Sequence, residues 1–188
     1  GPPSSPSVGL NVWGMPIAPD VPSRRGALQR LAAASLAACP WLAQAGSQIE
    51  EPLSHAVRTA LSAAVADAAP PTPVLATAAE QQAYAQWQAA CSPRLIRYKA
   101  HPMERQEFLQ TLWYEARRAG LSLSLVLGLV QVESAFRKFA ISSAGARGYM
   151  QVMPFWTRSI GDGNEGRLFH MQTNLRFGCV ILRHYLDR

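Results

Sequence analysis

The sequence is poor in cysteine and in charged residues. It has 3 cysteines among 188 residues, and only 16% of its residues are Asp, Glu, Lys or Arg. It contains no zinc-type spacing of Cys and His, no glycine-rich phosphate loop, no internal repeat and no apolar-polar alternation long enough for a β-strand. These absences argue against zinc-finger, nucleotide-binding, repeat and β-sheet classes. They leave a mainly α protein.

The composition is that of one globular domain with a substantial core. Apolar residues make up 48% of the 188 residues, which is enough to bury such a core. The formal net charge of +6 favours a polyanionic partner. Charge alone leaves nucleic acid, anionic lipid and acidic cell wall as candidates.

Residues 1–45 have the composition of a disordered N-terminus followed by a signal peptide. Prolines recur through residues 1–22, which predicts disorder. The basic stretch around Arg24-Arg25, the apolar run from Leu31 to Ala45 and its small-residue end are the three parts of a secretory signal. The adjacent arginines also resemble a twin-arginine signal. We therefore predict export to the periplasm or cell envelope, which argues against a nucleic-acid partner.

Two other interpretations of this stretch stay open. Residues 27–45 could form an ordinary core helix, or Leu36-Ala37-Ala38-Cys39 could be a lipoprotein box that anchors the protein through Cys39. Pro40 and Trp41 directly after Cys39 count against the lipoprotein box. The run is also too short and too rich in alanine to span a membrane stably.

Residues 46–100 are predicted to form a helical N-terminal extension. Apolar residues four apart from Leu53 to Val65 indicate a weakly amphipathic helix, which could lie on the domain or swing free. Pro70 to Pro73 forms a stiff linker. A second helix is expected from Ala76 to about Ala90, where Cys91-Ser92-Pro93 should end it.

Two further helices are predicted in residues 101–188. One runs from Met103 to Ala119, with Gly120 as its C-terminal cap. The next runs from Leu123 to Val132, with Ser122 as its N-cap. Because this helix is apolar almost all the way round, the pattern predicts a helix buried on every side.

An ionisable residue, Glu133, follows that apolar helix directly. Burial and the negative end of the helix dipole both disfavour the charged carboxylate, so the pKa of Glu133 should be raised. A glutamate that stays protonated near neutral pH can donate a proton in catalysis. The alternative is that Glu133 only marks where the helix emerges into water.

The residues after Glu133 resemble a family signature. They are Glu133-Ser134-Ala135-Phe136, then Ala140, Ser142 to Ala146 and Gly148-Tyr149-Met150-Gln151-Val152-Met153-Pro154. These residues and their spacing resemble the lytic transglycosylase family with the goose-lysozyme-like fold. Thr173 to Gly178 resembles the next helix of the same family. The resemblance covers roughly Met103 to Arg188, and it implies a lysozyme-like α-helical domain at residues 101–188.

The resemblance also implies a chemistry without a cofactor. Ordinary glycosidases use two carboxylates, and no second one is obvious in this sequence. A single glutamate suffices if the substrate supplies its own hydroxyl as nucleophile. Glu133 would then cleave peptidoglycan glycan strands, with cell-envelope machinery as a further partner. The family positions that contact substrate correspond to Ser142, Ser143, Tyr149, Gln151 and Met153.

The sequence departs from the family in one respect. Members usually carry a Tyr-Asn motif on a later helix, and no counterpart occurs before Asp187-Arg188. We therefore expect a domain truncated at its C-terminus. Two alternatives follow, namely a goose-type lysozyme-like hydrolase that also uses Glu133 and a non-catalytic peptidoglycan-binding module.

Cys91 and Cys179 would be the remaining cysteines if Cys39 left with the signal. An even pair in an exported protein predicts a disulfide. Closing so long a loop would add about 4 kcal/mol by the chain-entropy estimate.

Overall fold

The computed structural model describes residues 48–66 and 75–188. Within these ranges the chain forms α1 (His55–Ala66), α2 (Ala78–Leu95), α3 (Pro102–Arg118), α4 (Leu123–Ser134), α5 (Phe155–Ile160), a 3-10 helix (Glu165–Phe169) and α6 (Met171–Leu186). No strand occurs in these ranges beyond two isolated β-bridges, so the predicted mainly α class is confirmed. The proposed signal segment, Cys39 and the proline-rich linker lie outside the described residues. None of the helices in the described part of the chain has the length and apolar content that a membrane crossing needs.

α3 is the helix around which the others pack. It contacts α2, α4 and α6, and Phe108, Leu109, Leu112 and Ala116 on it are completely shielded from solvent. These residues recur at intervals of three and four, which places them on one face of a helix. The predicted helix is confirmed. Gly120 follows it in the left-handed conformation (φ 66°), as expected of a glycine that ends a helix.

α4 is buried on one side only, so the prediction of a helix buried on every side is wrong. Val126, Leu127 and Val130 are fully buried, and α4 packs against α3. Leu125 and Val132 are exposed, and 80% of the surface of Val132 is accessible to solvent. An apolar pattern gives a helix the capacity for burial, but a face becomes buried only where another element covers it.

Ser122 has the backbone conformation of the predicted N-cap of α4 but not its side-chain hydrogen bond. Ser122 is extended, as an N-cap residue should be, but its side chain makes no cap hydrogen bond. Its hydroxyl lies 2.9 Å from the hydroxyl of Ser124 instead. Side-chain capping therefore contributes nothing to the start of α4 here.

α2 continues beyond the expected stop. The prediction that Cys91-Ser92-Pro93 ends the helix is wrong, because the helix runs through Pro93 to Leu95. A proline inside a helix removes one backbone hydrogen bond. Here that loss falls in the last turn, where Cys91 and Leu95 are both buried. At the other end, Thr77 and Glu80 form a reciprocal capping box that fixes the start of the helix.

α1 lies on the domain, which decides between the two arrangements left open for this helix. It packs against α5 and α6, and Arg118 of α3 donates a hydrogen bond of 2.6 Å to the carbonyl of Ala64. The segment before α1 is attached as well, since the indole N–H of Trp156 donates to the Gln48 side chain at 3.0 Å. The N-terminal extension thus forms part of the folded unit.

The predicted disulfide between Cys91 and Cys179 is wrong, because both residues are buried free thiols. Cys91 lies on α2 and Cys179 on α6, and both of these helices contact α3. Burial raises the pKa of Cys91 to about 11. Burial raises the pKa of Cys179 as well, and the charge of Glu115 on α3 adds to this. Both cysteines therefore behave as small apolar core residues.

Candidate active site

Glu133 lies in the last turn of α4. The helix ends one residue later, and Ala135 and Phe136 both adopt left-handed backbone conformations (φ 47° and 60°). Residues other than glycine rarely adopt this conformation, and it persists only where the surrounding structure enforces it. Phe136 is buried, and its ring packs against Phe108 with centroids 5.7 Å apart. This packing holds the sharp turn directly after Glu133.

The Glu133 carboxyl is half-buried and has no hydrogen-bond or ion-pair partner among the described residues. Burial takes away water that would solvate the negative charge, so the pKa of Glu133 is raised above its ordinary value. The direction agrees with the sequence-based expectation. A carboxyl that holds its proton to higher pH is suited to donating it to a bound substrate.

The segment after this turn, residues 140–154, forms a compact hydrogen-bonded loop that we call the motif loop. Arg147 forms the antiparallel β-bridges within it. Ser142 closes a turn in which its backbone N–H donates to the Ala146 carbonyl at 3.0 Å. The Ser142 hydroxyl accepts the Ala146 N–H at 3.1 Å. The Ser142 side chain thus stabilises the motif loop.

Two of the predicted substrate-binding residues point into the motif loop and the core. Tyr149 is fully buried, and its hydroxyl accepts a hydrogen bond of 2.8 Å from the ammonium group of Lys99. Gln151 is also buried, adopts φ 48°, and donates to the carbonyls of Ala140 (3.3 Å) and Gly148 (2.9 Å). These side chains offer almost no surface to a sugar. The geometry gives them a part in shaping the loop.

The other predicted binding residues are more accessible. Ser143 is exposed, while Ser142 and Met153 are partly exposed. Their side chains are the ones in the predicted set that a ligand can reach directly.

Asn174 on α6 holds the motif loop in place, a function that the sequence did not reveal. The residue is fully buried. Its Oδ1 accepts the N–H of Met150, and its Nδ2 donates to the carbonyls of Arg147 and Leu168, each at 2.8 Å. Asn174 thus pairs three backbone groups outside α6. The available sequence signal was an amide side chain within an otherwise apolar helix face.

Two glycines allow α6 to approach the motif loop closely. A Cβ atom on Gly148 would lie 2.4 Å from Nδ2 of Asn174, and one on Gly178 would lie 2.3 Å from the sulphur of Met150. Both separations are far below van der Waals contact. Gly148 also has φ 74°, which favours glycine independently of the available space. A side chain at either position would push the loop away from the helix.

The acids that follow Glu133 in the sequence are engaged elsewhere. Asp162 is exposed, and hydrogen bonds from the Asn164 backbone N–H and from Arg167 lower its pKa. Glu165 is paired with two arginines, one of which is Arg147. Neither offers an unpaired acid as a second catalytic group. In the described ranges, no group of three or more His, Cys, Asp or Glu side chains could hold a metal ion.

Comparison with known proteins connects this geometry to a family. The model of the family described as "Transglycosylase SLT domain" matches residues 111–188. Residues 111–188 are therefore similar to the transglycosylase SLT family. The SLT domain includes Glu133, the motif loop and α6. The sequence-based recognition of the family is confirmed, and so is the assignment to a lysozyme-like α fold.

Curated relatives match part of this chain. Three are named "Membrane-bound lytic murein transglycosylase C". The protein of Histophilus somni (strain 2336) is 47% identical over 91 residues, which cover 44% of this chain and 25% of the relative. That of Glaesserella parasuis serovar 5 is 43% identical over 85 residues, 41% of this chain and 23% of the relative. That of Actinobacillus pleuropneumoniae serotype 5b is 35% identical over 85 residues, with the same shares.

The chain spans about a quarter of the length of these curated relatives. No solved structure matches the chain significantly. The SLT domain and its site are therefore the part of the protein on which functional proposals rest.

Proposed function

We propose that the protein is a peptidoglycan lytic transglycosylase. It would cleave the β-1,4 bond between N-acetylmuramic acid and N-acetylglucosamine and form a 1,6-anhydromuramoyl product. The observation that carries the proposal is Glu133, a half-buried and unpaired acid with a raised pKa within the SLT domain. The names of the relatives support the same activity.

The proposed reaction uses Glu133 twice. The protonated carboxyl first gives its proton to the glycosidic oxygen as the bond to C1 of the muramoyl residue breaks. The Glu133 carboxylate then takes the proton of the muramoyl 6-hydroxyl while that oxygen bonds to C1. The attack is intramolecular and gains the high effective molarity of such reactions. The cycle restores the protonated acid and consumes no water.

The other residues of the site would bind the substrate or shape its surroundings. Ser143 has an exposed side chain that can contact the sugars, and Ser142 and Met153 are partly accessible. Tyr149 and Gln151 would act through the backbone of the motif loop, because both side chains are buried.

The proposed substrate implies a location in the cell envelope, and the word "membrane-bound" in the names of the relatives supports it. We propose export through the signal segment in residues 1–45. Lipid attachment at Cys39 is the alternative mode of anchoring. Cell-envelope machinery would be a further partner.

The decisive experiment is mass spectrometry of the products released from purified sacculi. A transglycosylase releases 1,6-anhydro products, which are lighter by one water than the reducing sugars released by a lysozyme-like hydrolase. Reducing products would overturn the proposal in favour of the hydrolase. Co-sedimentation with sacculi without product release would instead favour a non-catalytic binding module. Matched digests with Glu133→Gln exclude a contaminating enzyme.

A further inference from the structure

Lys99, in the connection between α2 and α3, is a buried lysine. Its ammonium group donates to the Tyr149 hydroxyl at 2.8 Å and to Oε1 of the partly exposed Glu104 at 2.7 Å. It also lies over the rings of Tyr149 and Phe108, 4.7 and 5.2 Å from their centres. One carboxylate, one hydroxyl and two aromatic faces therefore replace the water that the ammonium group loses.

The backbone that carries Lys99 is fixed at both ends. The Lys99 N–H donates to the Leu95 carbonyl of α2 at 2.8 Å. Nη1 of Arg105 on α3 donates to the carbonyls of Lys99 (2.7 Å) and Ala100 (2.6 Å). Because the connection is tied to both helices, Lys99 reaches Tyr149 from a fixed point.

Tyr149 attaches the motif loop to this fixed point. The next residue, Met150, donates its N–H to Asn174 at 2.8 Å, which ties the loop to α6. The hydrogen bond from Lys99 to Tyr149 is a separate attachment, to the connection between α2 and α3. The motif loop is thus held by two elements that lie far apart in the sequence.

The aromatic contacts of Tyr149 extend to the turn that follows Glu133. The ring of Tyr149 lies 5.1 Å from that of Phe108, and Phe108 lies 5.7 Å from Phe136, measured between ring centroids. Phe136 is the second of the two left-handed residues after α4. Because protein interiors are closely packed, a shift of the Tyr149 ring would displace its neighbours in this cluster.

A charged group is an unusual choice for this position. Burial of an ammonium group has a desolvation cost that its partners offset only in part, and apolar residues of similar volume often give equal stability. A hydrogen bond, however, fixes the distance and direction of its partner more narrowly than an apolar contact does. The Lys99 ammonium group therefore selects one position of the Tyr149 hydroxyl.

We propose that Lys99 is a positioning residue of the active site. It holds Tyr149, and through Tyr149 the motif loop, in a fixed place relative to Glu133. The inference rests on the proposed function, since it assigns Lys99 a part in that reaction. Lys99 acts through Tyr149 and has no contact with the substrate.

The kinetic test compares Lys99→Met, Tyr149→Phe and the double variant, which all remove the hydrogen bond and largely keep the volume of the side chains. Each should lower kcat for anhydro product release from soluble peptidoglycan fragments about five- to tenfold, with little change in KM, because the loop is misplaced in the transition state. The double variant should lose no more than either single variant, since all three break the same bond. Tyr185→Phe, at a partly exposed tyrosine on α6, should leave kcat unchanged.

Thermal unfolding separates positioning from a purely structural role. Each single variant leaves a buried polar group without its partner and should unfold at a lower temperature than wild type. The double variant removes both groups and should regain most of the unfolding temperature. Its kcat should stay low in assays well below that temperature. Recovery of wild-type kcat together with the stability would overturn the inference.

Hydrogen–deuterium exchange of the full chain separates this inference from the proposed function. The amides of residues 140–154 should exchange about fivefold faster in the double variant, the effect of one lost buried hydrogen bond, while those of α1 exchange as in wild type. If wild type released no anhydro product, the proposed function would fail, and faster exchange would still support the attachment of the loop by Lys99. Unchanged exchange in residues 140–154 would overturn that attachment.

Discussion

Glu115 and Glu133 are the same residue type on neighbouring helices, and their environments are opposite. Glu115 on α3 is almost completely buried, and Arg176 of α6 holds it with bonds from Nε (3.1 Å) and Nη2 (2.8 Å). Glu133 on α4 is half-buried and has no such partner among the described residues. The more deeply buried acid is thus the one that is paired.

The difference shows that the partner, more than the depth of burial, decides what a carboxyl can do. A buried carboxylate that is bound bidentately by arginine is locked in a structural ion pair. An acid that is only partly desolvated but unpaired keeps its proton to higher pH and is free to exchange it with a ligand. We therefore expect Glu133 to transfer protons and Glu115 to hold α3 and α6 together through its ion pair.

The largest expected effect is on catalysis. Glu133→Gln should lower the rate of anhydro product release by at least about 10²-fold, because the amide cannot give up and recover a proton. Liquid chromatography with mass spectrometry of digested sacculi measures the rate. Glu133→Gln should still sediment with sacculi and unfold at an unchanged or slightly higher temperature. Near-normal turnover by this variant would contradict the catalytic assignment.

The corresponding replacement of Glu115 should affect the stability of the fold. Glu115→Gln removes the buried carboxylate charge that Arg176 and Arg118 pair with and should destabilise the fold by about 3–5 kcal/mol. Urea denaturation followed by circular dichroism measures the difference. The double replacement Glu115→Leu/Arg176→Met removes both charges and should recover most of this loss. Equal destabilisation by the single and double replacements would show that packing, and not the ion pair, is responsible.

Asn174 extends the comparison to a buried side chain that is hydrogen-bonded but uncharged. Asn174→Ala leaves the Met150 N–H and two carbonyls without their buried partner and should destabilise the fold by about 1–3 kcal/mol. It should also lower kcat, since the motif loop loses its attachment to α6. Asn174→Asp, which retains the acceptor but not the donor, should fall between Asn174→Ala and wild type. An unaltered kcat in Asn174→Ala would separate the loop from catalysis.

The smallest effect is the pH dependence of stability caused by Glu133. Since its folded-state pKa is raised, protonated Glu133 contributes stability that is fully present below the unfolded pKa and is lost as pH rises through the folded pKa. Wild type and Glu133→Gln should therefore be equally stable below about pH 4, and the variant slightly more stable above about pH 7. The difference is small because a half-exposed carboxyl stays partly solvated. Greater stability of wild type at neutral pH would mean that Glu133 has an electrostatic partner.

The features predicted correctly from the sequence are those that depend on local spacing. The apolar intervals from Phe108 to Trp113 indicated α3, and Gly120 marked its end. The residues around Glu133 carried the family signature and the direction of the pKa shift. Each of these follows from neighbours within a few turns of the chain.

The features that were missed depend on what lies across the fold. Leu125 and Val132 look like core residues until the face they occupy is known. Cys91 and Cys179 look like a pair, although both are buried free thiols, one on α2 and one on α6. Tyr149 matches a substrate-binding position, although Lys99 holds its hydroxyl in the core. No spacing along the chain encodes such distances.

The hydrogen bond between Lys99 and Tyr149 also affects the choice of N-terminal boundary for recombinant fragments of this protein. The family match begins at residue 111, inside α3 and after Lys99. A fragment that starts there would lose the first half of α3 and would leave the buried Tyr149 hydroxyl without its donor. A fragment that begins before α2 keeps this donor, together with the aromatic contact between Trp87 and Trp113. The packed unit thus extends further towards the N-terminus than the segment that the family model matches.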